Sequence, residues 1–491
     1  MYEKESPVKA IRQSLSFAPD ESRVITKLLG LDKVRIYKVF ERVMSLNDQE
    51  AKELLDHIIE GFKKRHILDV KRIFKDNFDK VNAQLDITTY AELPLERKLL
   101  IGSYFTMEYS IESAALFNPS IVPHTNQGGI NPGECRVIIS FRAVGEGHMS
   151  SIVFQQGVLS KTGNLNMDPS SNLVEMAKMI PDSTYNKKDF ILKLTDLGYF
   201  DAIKPLMDEL LDEFTFEEME KAVAQFRKHN SLTPTHDRAF ETLYWLTRSN
   251  YEIEFSEKID LSQRSIFPRS RTEIKAIEDA RFVYFTDEEG DKRYYATYTA
   301  YDGFNILPQL IETNNFLRFR ISTLMGKGSQ NKGMALFPEK INGKYVMISR
   351  NDNENLYLMY SERVHYWDNP TLLREPKYYW EFVQIGNSGS PIKTDKGWLL
   401  LTHGVGPFRI YTIGAILLDL EDPSIIIGEL EEPILIPEED ERNGYVPNVV
   451  YSCGAMVHNN YLVMPYAMSD TRSGVVKYKL NDLLDNMKAP A

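Results

Sequence analysis

Apolar positions in the first hundred residues recur at helical spacing. Val24, Leu28, Leu29, Val34, Ile36 and Val39 form one set; Leu54, Leu55, Ile58, Ile59 and Phe62 form a second; Ile67, Val70, Ile73, Phe74 and Phe78 form a third. Residues from about 20 to 105 therefore read as helical. Ser45-Leu46-Asn47-Asp48-Gln49-Glu50 supplies a helix start, with Asn47 or Asp48 as cap and Glu50 in the first turn. Between about 106 and 160 the pattern turns to strands, with Arg136-Val137-Ile138-Ile139-Ser140-Phe141-Arg142 and Ser151-Ile152-Val153-Phe154-Gln155 as short runs separated by Gly145-Glu146-Gly147. Residues 172 to 248 return to helix formers, dense in acidic side chains at Asp208–Phe214 and Glu217–Ala222. After Pro268 strands and turns hold almost to the end, where a short helix is expected near Leu480 to Met487.

The C-terminal half carries a repeated unit: a turn, an aromatic residue opening a strand, and a polar residue at the strand's far end. It appears as Gly290-Asp291-Lys292-Arg293-Tyr294-Tyr295 leading to Thr299 and Asp302, and as Gly343-Lys344-Tyr345 leading to Arg350. It returns as Lys396-Gly397-Trp398 leading to His403, and as Asn459-Asn460-Tyr461 leading to Asp470. The aromatics Tyr295, Tyr345, Trp398 and Tyr461 lie 50, 53 and 63 residues apart, a period suited to one four-stranded propeller blade. Radial strands of that kind bring their polar ends together around one axis. The expected fold is mainly β, a five-bladed β-propeller. Its parts are an N-terminal helical region (1–105), a first blade (106–160), a mainly helical insertion (161–264) and the remaining blades with a C-terminal helix (265–491). The N-terminal region reads as a structural or oligomerisation arm, which makes a homo-oligomer one expectation.

Composition narrows the function. At 491 residues with 43% apolar, 26% charged and 11% aromatic side chains, the chain is an ordinary globular protein. A net charge of −12 argues against a nucleic-acid or anionic-membrane partner, and no apolar run is long enough to span a bilayer. Cys135 and Cys453 are the only cysteines, 318 residues apart, with neither metal spacing nor a disulfide framework. With a polar N-terminus, Met1-Tyr2-Glu3-Lys4-Glu5-Ser6-Pro7, these features point to the cytoplasm.

Three places concentrate chemistry. Glu278, Asp279 and Arg281 precede the strand Phe282-Val283-Tyr284-Phe285; strand alternation predicts that Glu278 and Asp279 face opposite sides. One carboxylate suits a general acid while the other, or Arg281, fixes the backbone. Lys332, Arg350 and His403 lie before or at the ends of apolar strands, where a buried cation needs an anion. Together they suit a phosphate pocket. Gly326-Lys327-Gly328-Ser329 lacks the full phosphate-loop spacing, and His365 and His458 lack partners at metal-ligand spacing, so neither a nucleotide nor a metal site is expected.

Several long strings resemble glycoside hydrolase family 130. They are Glu278-Asp279-Ala280-Arg281, Ala335 through Tyr345, Trp398 through Val405, Gly414 through Pro423, and Pro447 through Tyr451. The resemblance covers about 118–160 and 265–475 and implies a five-bladed propeller that cleaves β-mannosides. It implies Asp279 as catalytic acid, acting through the 3-hydroxyl of the bound mannosyl unit. It also implies Lys332, Arg350, His403 and Tyr411 around phosphate, and Asn131 and Arg142 holding the mannosyl unit. Asp470 joins the substrate-binding set as a polar strand end of the last repeat. Two departures stand out: Ala280 where the family has proline, and Lys332-Gly333 where it has Arg-Asn, which replaces a bidentate fork by a point charge.

Inverting cleavage needs an acid on one face of the sugar and a nucleophile on the other. A cationic pocket favours phosphate as nucleophile, so the leading expectation is an inverting β-mannoside phosphorylase that releases α-mannose 1-phosphate. Its partners would be a mannose-containing oligosaccharide and inorganic phosphate as co-substrate, with no cofactor. A β-mannosidase is the alternative, with Asp302, Glu381 or Asp470 as candidate base. A non-catalytic carbohydrate-binding propeller is the third.

Overall fold

The computed structural model describes residues 7–85, 92–180 and 183–490. Strand dominates, as expected: five sheets of four to six strands, accompanied by two ribbons of two strands. The first sheet is built on Ala115–Pro123, Cys135–Val144 and Ser150–Leu159. The second is built on Ala276–Thr286, Lys292–Tyr301, Ile306–Thr313 and Arg318–Thr323. The third centres on Tyr345–Ser349 and Leu356–Ser361, the fourth on Trp398–Val405 and Tyr411–Leu418, and the fifth on Tyr461–Met468 and Arg472–Lys479.

The repeated aromatics are packing wedges between these sheets. Tyr345, Trp398 and Tyr461 each open their strand, and Tyr294 and Tyr295 lie near the start of theirs. Tyr345 stacks on Phe285 of the second sheet at 5.4 Å, and Trp398 meets Phe337 of the third edge-on at 5.2 Å. Tyr461 sits against Gly163 in the turn following Ser150–Leu159. Full burial of such a side chain contributes roughly 1.5–3 kcal/mol.

Each sheet is also tied to the next by hydrogen bonds, and the series returns to its start. Phe282 N–H donates to Ser120 Oγ (3.1 Å), Thr297 Oγ1 to the Met334 carbonyl, and Asn387 Nδ2 to the Gly333 carbonyl. Tyr411 N–H donates to the Asn448 carbonyl (3.0 Å), and Cys453 N–H to the Pro119 carbonyl (2.9 Å).

The N-terminal region departs from the expected helix at its start. Ile11–Phe17 and Val24–Leu28 are strands, the first pairing antiparallel with Arg472–Lys479 and the second with Thr106–Ser110. Val24 and Leu28 thus belong to a ribbon, whose β-branched Val24-Ile25-Thr26 run prefers a pleated surface. Helices follow at Lys33–Met44, Asp48–Phe62, Val70–Asn82 and Leu95–Tyr104, and pack around Phe40, Phe78, Leu100 and Phe105. Asn47 caps the second through a reciprocal box with Glu50.

The insertion contributes helices Lys187–Asp196, Phe200–Glu209, Phe216–His229 and Pro234–Ser249, with a core of their own around Leu194, Met207 and Phe240. It ends in a strand, Tyr251–Glu254, that extends the second sheet by pairing with Arg318–Thr323. The helix Leu480–Asp485 closes the chain near its expected place. Among the described residues no helix is long and apolar enough to cross a membrane.

Ile11–Phe17 joins the two chain ends in one sheet, and its anchor is ionic. Arg12 Nε and Nη2 reach the two Glu441 oxygens at 2.9 and 3.0 Å, and Nη1 reaches Glu438 at 2.7 Å. Glu441 is buried; desolvation would raise its pKa, but Arg12 and Tyr466 together hold it below the usual carboxylate range. Its contribution is therefore present above the carboxylate range and is lost as pH falls through the depressed value. Arg12→Ala should lower stability by ~3 kcal/mol at neutral pH, because it leaves a buried carboxylate without its cation. Thermal unfolding at pH 7 and pH 3 checks this: the loss should be large at pH 7 and shrink at pH 3.

Candidate active site

Two β-bulges in neighbouring sheets create the centre of the site. In the second sheet Glu278 pairs with Thr299 and Arg281 with Thr297, so the bulged strand carries one extra residue, and Asp279 takes φ +55. In the first sheet Phe117 pairs with Arg142 and Ser120 with Ser140, again with one extra residue, and Asn118 takes φ +49. The bulges meet: Asn118 Nδ2 donates to Asp279 Oδ1 at 2.5 Å.

The bulge overturns the expectation that Glu278 and Asp279 face opposite sides. Left-handed backbone at Asp279 breaks the alternation and turns both carboxylates toward Arg142, whose Nη2 donates to Glu278 Oε1 at 3.1 Å and whose Nη1 lies 3.9 Å from Asp279 Oδ1. Behind them Arg281, only 2% exposed, donates to the Asp279 backbone carbonyl at 2.9 Å and to the Tyr451 hydroxyl at 2.5 Å. It performs the backbone-fixing role expected of that position.

Burial alone would raise the Asp279 pKa. Arg281, Arg142 and Lys332, with the Asn118 hydrogen bond, outweigh it and hold the carboxyl below its ordinary value. Without ligand Asp279 is ionised at neutral pH.

Tyr451 leads to the second half of the site. Its ring stands edge-on to His403 at 4.9 Å, and His403 Nε2 lies 3.3 Å from Arg350 Nη1. Arg350 follows the strand Tyr345–Ser349; its Nε has no partner, and among the described residues no carboxylate pairs with it. The Gln384 amide, with its oxygen toward Arg350, accepts from Nη1 at 2.5 Å. Tyr411 lies parallel to His403, 5.9 Å between centroids and 14° between planes.

Two expected cations change character. Burial, then the nearby Arg350 and Arg281, push His403 well below its ordinary pKa, so the ring is neutral. Its Nδ1–H donates to the Asn387 carbonyl at 3.0 Å, which leaves Nε2 to accept from Arg350. Lys332 does not join Arg350: its Nζ is paired with Glu278 Oε2.

A cavity of about 600 Å³ opens on the carboxylate side, lined among others by Phe117, Arg142, Glu278, Tyr301, Tyr445 and Asp470. Asp470 has left-handed backbone, φ +51, in the turn between Tyr461–Met468 and Arg472–Lys479. Burial, then the Asp279 charge, push its pKa up to about 6, with Arg142 and Arg409 offsetting part of the rise. The other candidate bases do not line the cavity, although Tyr301 and Gly303 on either side of Asp302 do. Asp302 accepts from Phe304 and Asn305 in its own hairpin turn, and Glu381 is fully buried on Arg374 at 2.6 Å.

Asn131 is a correction. It is exposed in the turn before Cys135–Val144, where its backbone and side-chain nitrogens both donate to Glu134. Arg142 is near the other end of that strand, ~23 Å away at the usual rise per residue. The asparagine that reaches the acid is Asn118. Its signal was available: Pro119, within a run that otherwise reads as strand, marks a bulge. Tyr451, Gln384 and Arg409 were also missed as site residues, since no charge pattern distinguishes them.

Comparison with known proteins places the chain in a family. The glycoside hydrolase family 130 model, described as β-1,4-mannooligosaccharide phosphorylase, matches residues 222–489. The chain is 37% identical over 218 residues to a 1,2-β-oligomannan phosphorylase of Thermoanaerobacter sp. (strain X514), covering 43% of this chain and 71% of that protein. It is 31% identical over 237 residues to a β-1,2-mannobiose phosphorylase of Listeria innocua, covering 46% of this chain and 64% of that one. A solved β-1,2-mannobiose phosphorylase from Listeria innocua superposes loosely, with TM-score 0.44 at 24% identity over 77% of this chain and 93% of that one.

Because the folded Asp470 pKa lies above its unfolded value near 3.8, its charge costs stability above about pH 6, and the cost vanishes below about pH 4. At ~1.4 kcal/mol per unit the cost is ~3 kcal/mol at neutral pH. Asp470→Asn should therefore raise the unfolding temperature at pH 7.5 and leave it near wild type at pH 4. An equal shift at both pH values would exclude the raised pKa.

Proposed function

This chain belongs to glycoside hydrolase family 130, and on that footing we propose that it is an inverting β-mannoside phosphorylase that releases α-mannose 1-phosphate. The observation that carries the reading is Arg350: an arginine with no carboxylate partner among the described residues, set on the neutral His403 and separated from the acid Asp279 only by Tyr451 and Arg281. A hydrolase needs a second carboxylate to activate water, whereas a phosphorylase needs a place for an anion that is already a nucleophile. The cyclic ties among the five sheets support a five-bladed propeller with this site at its axis. The N-terminal helices and the insertion are peripheral units with cores of their own. Two free cysteines fit a cytoplasmic enzyme.

The mannosyl unit at the cleaved bond occupies the cavity over Arg142 and Asp470, with Asp279 next in sequence to the lining residue Glu278. Phosphate lies among Arg350, His403 and Tyr411, on the opposite face of the anomeric carbon. Asp279 transfers its proton through the sugar's 3-hydroxyl to the departing glycosidic oxygen as the bond from that oxygen to the anomeric carbon breaks. A phosphate oxygen forms the new bond at that carbon with inversion, and the shortened sugar leaves with its hydroxyl restored. Asp279 is left ionised, the state that Arg281, Arg142 and Lys332 favour. An anion arriving among these cations offsets their field and raises the Asp279 pKa, the direction that favours uptake of the next proton from solvent.

A hydrolytic reading keeps one observation, the cavity carboxylate Asp470 with a pKa of about 6. One assay separates the two: β-1,2- and β-1,4-mannobiose incubated with and without phosphate. Mannose 1-phosphate should form only with phosphate, and free mannose at equal rates in both tubes would make the enzyme a mannosidase. Asp279→Asn should reduce turnover by ~10²–10⁴-fold with the fold intact.

A further inference from the structure

The charges around the site are unevenly paired. Arg142 and Lys332 both rest on Glu278, and Arg281 lies against Asp279. Two arginines remain that pair with no carboxylate among the described residues: Arg350 and Arg409. Phosphate carries more than one negative charge near neutral pH. With His403 neutral and Lys332 committed to Glu278, Arg350 alone leaves the anion under-compensated.

Arg409 is placed to supply the difference. It ends the short turn Pro407–Arg409 between the two central strands of the fourth sheet. Phe408 and Arg409 both take left-handed backbone, φ +55 and +56, a conformation that costs free energy in a residue with a side chain. The turn is held closed by Gly406 N–H on the Ile410 carbonyl (3.0 Å) and Ile410 N–H on the Pro407 carbonyl (3.2 Å). It sets the exposed Arg409 guanidinium 5.7 Å from the centre of the Tyr411 ring. Tyr411 is parallel to His403, and His403 accepts from Arg350. The two unpaired guanidiniums are thus connected through His403 and Tyr411: Arg350 by a hydrogen bond to His403, Arg409 by its place beside the Tyr411 ring.

We propose that Arg409 is a phosphate-binding residue that closes over the anion from the solvent side and supplies the second arginine absent at position 332. This rests on the phosphorylase reading and names the ligand contact within it. The charge of Arg409 also reaches Asp470, where it offsets part of the rise in that carboxyl's pKa.

The test uses the full chain with Arg409→Gln and Arg409→Lys. Arg409→Gln should lower kcat/KM for phosphate about tenfold, the scale of one charge-assisted hydrogen bond, and move the mannoside KM less than twofold. Arg409→Lys should recover part of the loss. An unchanged phosphate dependence, or a change confined to the mannoside KM, would overturn the proposal. A second readout needs no turnover: inorganic phosphate should raise the unfolding temperature of the wild type more than that of Arg409→Gln. Equal protection of both also overturns it. If the wild type forms no mannose 1-phosphate, the phosphorylase reading fails, and the protection experiment still decides whether Arg409 binds phosphate.

Discussion

A carboxylate taken out of water must be compensated where it stands, and the site is organised around that requirement at Asp279. Three cations come from three directions: Arg281 from its own strand, Arg142 from the first sheet and Lys332 from the segment before the third. Asn118 adds a hydrogen bond from the adjacent bulge. Removing any of these leaves the buried charge less fully compensated in a low-dielectric interior, which costs more than a surface ion pair contributes. The positions of neighbouring sheets, the paired bulges and the buried tyrosine behind Arg281 are all coupled to that one group.

The same coupling explains why the site is rigid. Its residues sit on or beside strands of five sheets, each wedged against a neighbour by a large ring and hydrogen-bonded across the seam. The first and last parts of the chain share a sheet, so the series of seams has no loose end. Close approaches at the seams leave no room for larger residues. A Cβ at Gly454 would lie 2.4 Å from Ser120 Oγ, and within the fourth sheet one at Gly386 would lie 2.3 Å from the ring of its cross-strand partner His403. The helical units keep their cores to themselves and leave the seams free.

Charge economy separates the two halves of the chemistry. On the side of the cavity each cation has a carboxylate, a balanced surface with directed hydrogen-bonding groups that suits the neutral sugar proposed there. On the side proposed for the anion a neutral histidine orients an arginine that has no counter-ion among the described residues. The neutrality of His403 matters, because an imidazolium against Arg350 would repel it, whereas Nε2 of the neutral ring accepts a hydrogen bond from it. The histidine sets geometry and the arginine supplies charge.

The sequence by itself determined the mainly-β character, the helical segments with their caps, and the order of the polar strand ends. These depend on local periodicity, capping chemistry and the spacing of aromatics, all written within a few residues. It also pointed to Asp279, Arg281 and the Arg350–His403–Tyr411 set, which the structure brings to neighbouring sheets, because long strings around them resemble a known family. The pairing of the chain ends was not legible, since Ile11–Phe17 finds its partner more than 450 residues away. Nor was the direction of Glu278 and Asp279, which a one-residue bulge decides against strand alternation. The charge of His403, the partner of Lys332 and the exchange of Asn131 for Asn118 share that origin. Each depends on which groups burial brings within a few ångströms, and only the tertiary structure sets that distance.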